Sequence, residues 1–172
     1  RLAPVKQMDL LAETFAKTFR GEPNVFLDIV GSGSERKKIE RIIQQYHISE
    51  QIRLPGTLSR EETAQKVSQS DCLVCFSRYE TFGVPVIEAW ACGIPVITSD
   101  VLGFLEYWEN DLGCIVRSGN TDELARAMKQ IQERHFDPAY IHNFACKHFS
   151  EETVYKLLME NYLSRKPEPA AK

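Results

Sequence analysis

Apolar residues recur at helical spacing near the start of the chain: Met8, Leu11, Ala12, Phe15 and Phe19 share one face, and Gly21 stops the run. The next apolar block, residues 25–30, is continuous except for Asp28 and predicts a buried strand. Ser34 then starts a helix that puts Ile39, Ile42, Ile43 and Tyr46 on one side, with Glu35, Arg36, Lys37 and Lys38 as a solvated turn. Residues 51–54 predict a short strand, and Ser59 with Glu62 forms a capping box for the helix after it. Residues 72–76 and 95–98 predict two more strands, and residues 112–116 a weaker one. Asn120 or Thr121 opens a helix carrying Leu124, Ala127, Met128 and Ile131. Two terminal helices follow, near residues 138–149 and 151–163, and the polar, proline-containing stretch 164–172 reads as a disordered tail. There are no repeats or low-complexity blocks. Strands that alternate with helices predict an α/β fold: a doubly wound, mostly parallel sheet with extra C-terminal helices.

The segment around residues 77–97 carries the chemistry. It reads as strand, loop, short helix, Gly-Ile-Pro turn and strand, with Pro85 suited to the first helical position and Gly93 to the residue past the helix end. Glu80 falls in the loop at the carboxyl end of a strand and Glu88 in the helix, with seven residues between them. In an open α/β sheet, ligands bind in that crevice. The amides of Phe82, Gly83 and Val84 sit at or just before a helix start, have no intrahelical partner, and attract anions. Gly83 lets the backbone approach a ligand closely. Two carboxylates beside a phosphate repel it, unless each accepts hydrogen bonds from hydroxyls on either side of the phosphate. A nucleoside diphosphate sugar has that shape: ribose hydroxyls, diphosphate, sugar hydroxyls. An acid near a helix start, stabilised by the dipole, accounts for Glu88 alone but not for Glu80 or the Phe-Gly-Val insert.

Composition narrows the classes. With 172 residues the chain is about one domain long, and 43% hydrophobic with 26% charged residues is ordinary for a soluble globular domain. A net charge of -3 supplies no general attraction for nucleic acid. No apolar run approaches a membrane span, and no signal peptide is visible. Five scattered cysteines do not make a disulfide scaffold. Cys72 and Cys75 have C-x-x-C spacing, but residues three apart on a strand point to opposite faces, so both read as buried strand cysteines. His47, His135, His142 and His148 have no metal-ligand spacing with acids or cysteines and read as surface or packing residues. No metal site and no cofactor is expected.

Glu80 and Glu88 resemble the E-x7-E motif of retaining GT-B glycosyltransferases, the group 1 type. The flanks Phe82-Gly83-Val84-Pro85 and Glu88-Ala89-Trp90-Ala91-Cys92-Gly93-Ile94-Pro95-Val96 are similar to that family's E-G-F-G-x-P-x-x-E-A-x-A-x-G-x-P-V. Thr81 stands in place of a glycine, and Phe76 in place of the proline before the serine. The likeness covers about residues 1–132, the donor-binding half. It implies the Rossmann-like, C-terminal half of a GT-B fold over residues 1–163, moving a sugar from a nucleotide diphosphate sugar to an acceptor hydroxyl with anomeric configuration retained. Arg1-Leu2-Ala3-Pro4-Val5-Lys6 resembles the R-L-x-x-x-K-G segment, whose Arg and Lys grip the diphosphate; Gln7 replaces its glycine. The resemblance further implies that Glu80 positions the transferred sugar, Glu88 accepts from the ribose, the amides of Gly83 and Val84 hold the distal phosphate, and Phe82 belongs to the donor-binding loop. It puts Gly31, in Gly31-Ser32-Gly33-Ser34, along the nucleotide cleft and Leu54 near the nucleobase, with Gly103 and Glu106 in a loop by the sugar.

In the family a central strand precedes the Arg-Leu segment. Here it falls before Arg1, so either a strand outside these residues or another element fills its slot. An N-terminal acceptor-binding domain is the implied partner, with an acceptor that can be membrane-linked and no nucleic acid. Cytoplasmic polysaccharide biosynthesis, peripheral to a membrane in the full-length protein, is the implied setting, and the fragment alone is expected to be inactive. A sugar-nucleotide epimerase or phosphorylase on the same architecture is the alternative enzyme. A non-enzymatic flavodoxin-like or receiver-like interaction module is the alternative of another class, and the glutamate spacing has no role in it.

Overall fold

The computed structural model describes residues 1–101, 103 and 105–164. Among the described residues, five short strands alternate with helices: β1 (Leu27–Val30), β2 (Ile52–Gly56), β3 (Leu73–Cys75), β4 (Val96–Ser99) and β5 (Gly113–Val116). The helices are α1 (Met8–Phe19), α2 (Arg36–Tyr46), α3 (Arg60–Ser68), α4 (Val84–Ala91), α5 (Thr121–Glu133), α6 (Pro138–Phe149) and α7 (Glu151–Ser164). Ser164 thus closes α7 rather than opening a tail, and residues 165–172 of the expected tail lie outside the described residues.

All pairings among the described residues are parallel. β1 lies beside β2, with Leu27 opposite Ile52 and Asp28 opposite Arg53. β4 lies between β3 and β5, with Ile97 opposite both Val74 and Cys114. Among the described residues no ladder joins β1 to β3, so the strands form a two-stranded and a three-stranded sheet.

The strands alternate between two apolar clusters, as the period of two requires. Val74, Phe76, Ile97 and Val116 belong to a cluster with Leu11, Phe15, Ile39 and Leu124, from α1, α2 and α5. Leu73, Cys75 and Val96 belong to a second cluster with Val86, Trp90, Ile141 and Phe144, from α4 and α6. Helices therefore cover both faces, the doubly wound arrangement. Ile29 and Ile52 join the first cluster, so the two-stranded sheet shares a core with the three-stranded one. Asp28 instead meets α3, where Lys66 Nζ is 3.0 Å from its Oδ2.

Local signals set most boundaries. Ser59 and Glu62 form the expected capping box, with bonds of 3.1 and 2.7 Å. Asn120 accepts from the Glu123 amide at 3.1 Å and Asp137 from the Ala139 amide at 2.9 Å, starting α5 and α6. Three edges move. α2 starts at Arg36 after Glu35, which gives no side-chain cap, because Ser34 lies in a turn whose backbone is held by Leu2. Pro85 is the second residue of α4, because Gly83, with φ +76°, turns the chain so that Val84 is already helical. β1 begins at Leu27, the residue whose amide bonds Gln51, and leaves Phe26 exposed.

Candidate functional site

The N-terminal segment runs across the carboxyl ends of the strands. Leu2 donates to Ser32 O at 2.8 Å and accepts from the Glu35 amide at 3.2 Å, which ties it to the β1–α2 loop. Arg78, just past β3, donates its amide to Val5 O at 2.7 Å. A 3-10 turn, Pro4–Lys6, fills the span between these two anchors. The turn delivers Lys6 Nζ to within 2.5 Å of Glu80 Oε2, although the residues are 74 positions apart. The pair is sheltered, with Glu80 12% and Lys6 30% exposed at the side chain. Glu80 Oε1 also accepts from the Thr81 amide at 3.2 Å, which fixes the carboxylate at the head of its loop.

Gly31 brings β1's exit under the first residue: a Cβ there would stand 3.5 Å from Arg1 N. The Arg1 side chain is exposed and makes no ion pair among the described residues. Thr57 Oγ1 donates to Ser32 Oγ at 3.1 Å and joins the exits of β1 and β2. Leu54 lies inside β2, its side chain against the first cluster and its carbonyl accepting from Arg36 Nη2 at 3.3 Å. Both its side chain and its carbonyl are engaged within the fold.

Glu88 has different surroundings from Glu80. It lies on α4 with Val84, Ile87 and Ala91, along a groove of about 250 Å³ closed by Phe82, Phe149 and Val154. Its carboxylate has no hydrogen bond or ion pair among the described residues. Phe82 is 46% exposed and Val84 53%, and the Phe82 ring meets Phe149 edge-on at 6.3 Å. The amides of Phe82, Gly83 and Val84 donate to nothing among the described residues. Three unpaired N–H groups therefore stand at the start of α4, beside the Lys6–Glu80 pair. Gly103 packs onto this loop, since a Cβ there would lie 2.3 Å from Thr81 O.

The model for the family described as "Glycosyl transferases group 1" matches residues 1–145. The chain belongs to the group 1 glycosyl transferases. Among curated relatives of this glycosyltransferase domain, N-acetyl-alpha-D-glucosaminyl L-malate synthase of Bacillus anthracis is 30% identical over 128 residues, 74% of this chain and 33% of that protein. Sucrose-phosphate synthase from Thermosynechococcus elongatus superposes with a TM-score of 0.79 at 28% identity, covering 95% of this chain and 43% of that one. The pneumococcal O-GlcNAc transferase GtfA, solved in complex with UDP and GlcNAc, gives a TM-score of 0.79 at 25% identity over 96% of this chain and 35% of that one. The chain spans about a third of the length of the curated relatives it matches.

No helix among the described residues is long and apolar enough to cross a membrane. No group of three or more His, Cys, Asp or Glu side chains among them could hold a metal ion. One set of residues at the strand exits went unread in the sequence: Ser77, Ser99 and Ser118. Ser99 Oγ and Ser118 Oγ both donate to Ser77 O, at 2.5 and 3.2 Å. Their signal is the recurrence of a small hydroxyl residue at or two positions past the end of β3, β4 and β5.

Proposed function

We propose that residues 1–163 are the donor-binding, C-terminal domain of a retaining glycosyltransferase that takes its sugar from a nucleotide diphosphate sugar. The observation that carries this reading is the Lys6–Glu80 contact at 2.5 Å, set beside the unpaired amides at the head of α4. A lone cation at a strand exit is unremarkable; a cation clasped by a loop carboxylate next to three free N–H groups suits a ligand with an anionic middle and hydroxylated ends.

Lys6 has three donors, and Glu80 uses one, so two remain for phosphate oxygens. Arg1 supplies a second cation with planar, bidentate geometry. As the bond from the sugar's anomeric carbon to the diphosphate oxygen breaks, negative charge grows on the diphosphate. Lys6, Arg1 and the Gly83 and Val84 amides stabilise that charge, each such group contributing about 2.7–4 kcal/mol to lowering the barrier. Glu80 accepts from hydroxyls of the transferred sugar, and Glu88 from the ribose. Gly31 and the exit of β2 just past Leu54 line the nucleoside side. The donor is the only small molecule this scheme requires. The acceptor, membrane-linked or not, is held by an N-terminal domain, so this chain alone binds donor without transferring sugar.

Calorimetric titration with UDP, GDP and ADP tests the reading. At least one binds, and Glu88→Ala weakens that nucleotide by about 10-fold, or about 1.4 kcal/mol. Glu80→Ala weakens the matching nucleotide-sugar at least as much while changing nucleotide affinity little. Failure of all three nucleotides to bind would end the donor-site reading; unchanged binding in Glu88→Ala would remove only the ribose assignment.

A further inference from the structure

We infer that Gln7 is the positioning residue for Lys6, a role that rests on the donor-site reading above and replaces what a glycine does at that place in the motif. Gln7 closes the 3-10 turn, donating its amide to Pro4 O at 3.2 Å, and it opens α1, accepting from the Leu11 amide at 3.0 Å. Its backbone is left-handed, with φ +52° and ψ +34°. A glycine takes that conformation freely and a glutamine does not. The side chain is 2% exposed, and its Oε1 is buried without a partner among the described residues. The position therefore carries two penalties that a glycine lacks, and a gain must offset them.

The side chain's one bond among the described residues supplies it. Gln7 Nε2 donates to Ser118 Oγ at 3.2 Å, and Ser118 Oγ donates onward to Ser77 O at 3.2 Å. That carbonyl also accepts from Ser99 Oγ at 2.5 Å, and the Ser118 amide donates to Asp100 Oδ1 at 2.7 Å. The relay has one consistent direction, amide to hydroxyl to carbonyl, and it links Gln7 to the exits of β3, β4 and β5 at once. On the other side of Lys6, Val5 O is held by the Arg78 amide at 2.7 Å. Lys6 is bracketed by two anchors that both belong to strand exits, and its ammonium has little freedom to leave Glu80. A glycine in this conformation would only turn the chain; Gln7 turns it and bolts it to the sheet rim.

The test is acetylation of lysine amines by a limiting N-hydroxysuccinimide ester, read by peptide mass spectrometry with Lys129 as internal reference. Gln7→Gly and Ser118→Ala each raise the relative labelling rate of Lys6 about 5-fold. The double variant rises no further, because both changes cut one relay. The unfolding midpoint of Gln7→Gly stays level or increases, while affinity for the nucleoside diphosphate that binds the wild type falls about 5-fold. Unchanged Lys6 labelling in both variants overturns the proposal, and Ser118→Ala alone decides it if Gln7→Gly does not fold. Absence of nucleotide binding to the wild type would remove the donor-site reading, yet the labelling would still say whether Gln7 holds Lys6.

Discussion

At Gly113 the chain enters β5 so close to β4 that a Cβ would stand 1.8 Å from Val96 O, with φ +141°. Neither backbone can withdraw without giving up the ladder between them. Gly113→Ala is expected to destabilise by about 2–4 kcal/mol, read from denaturant unfolding, which puts it at the severe end of single substitutions. Cys72 shows the opposite case, a residue protected by its surroundings. Burial pushes its thiol up to about 12, from an ordinary value of 9.0. The folded state then holds a proton that the unfolded chain releases, so this contribution is intact below about pH 9 and is lost as pH rises from 9 toward 12. Cys72 is half-buried, so in the native state it is expected to react with a thiol reagent at neutral pH more slowly than in denaturant; equal rates would contradict its shelter. Burial raises Cys75 and Cys114 in the same direction. The opposite-face reading of Cys72 and Cys75 was legible from spacing alone, and the two pack into different clusters. The partner of Glu80 was not legible as a contact, because nothing in local pattern says that a turn 74 positions upstream will deliver an ammonium to it.

Elements were legible where they carry their own start signals. The capping residues Ser59 and Asn120 each stand where the helix begins, since the cap bond is made within three residues. Strand ends were less legible, because ladder bonds to a neighbour decide them: β3 keeps only Leu73–Cys75 of the apolar run 72–76. α4 gains its position from one side chain. Trp90 is fully buried, meets Phe144 edge-on at 5.7 Å and stacks near Phe149 at 6.2 Å. Its Nε1 donates to Leu112 O at 3.2 Å, just before β5. Trp90→Phe keeps most of the ring contacts but leaves that carbonyl without its donor, an expected loss of about 1–3 kcal/mol; Trp90→Ala adds a cavity for about 3–5 kcal/mol. Since α4 carries Glu88 and the free amides, thermal melts of both variants should be paired with nucleotide titration. Trp90→Ala is expected to weaken binding even where the protein remains folded.

Over the whole molecule, stability is uneven in a way the sheet arrangement dictates. β4 is the one strand with a partner on each side among the described residues. Its residues Val96, Ile97, Thr98 and Ser99 are all buried, so its amides are expected to exchange slowest with deuterium. β1 and β3, each bonded on one side, should exchange faster, and α7 fastest, since it leaves Tyr155, Leu158, Tyr162 and Leu163 exposed. Equal protection of β1 and β4 would contradict the division into two sheets. The alternation of strand and helix, the helix caps and the motif around Glu80 and Glu88 were determined by the sequence itself. The first two rest on periodicity and short-range bonding, which act within a few residues, and the motif on its resemblance to a known family. Only the tertiary structure decided that Lys6 meets Glu80, that Ser77, Ser99 and Ser118 gather at one rim, that Glu88 faces an apolar groove, and that β1 and β3 share a core without a ladder. Those facts depend on which distant segments pack together, and a linear pattern of apolar and polar positions says which face is buried but not what it is buried against.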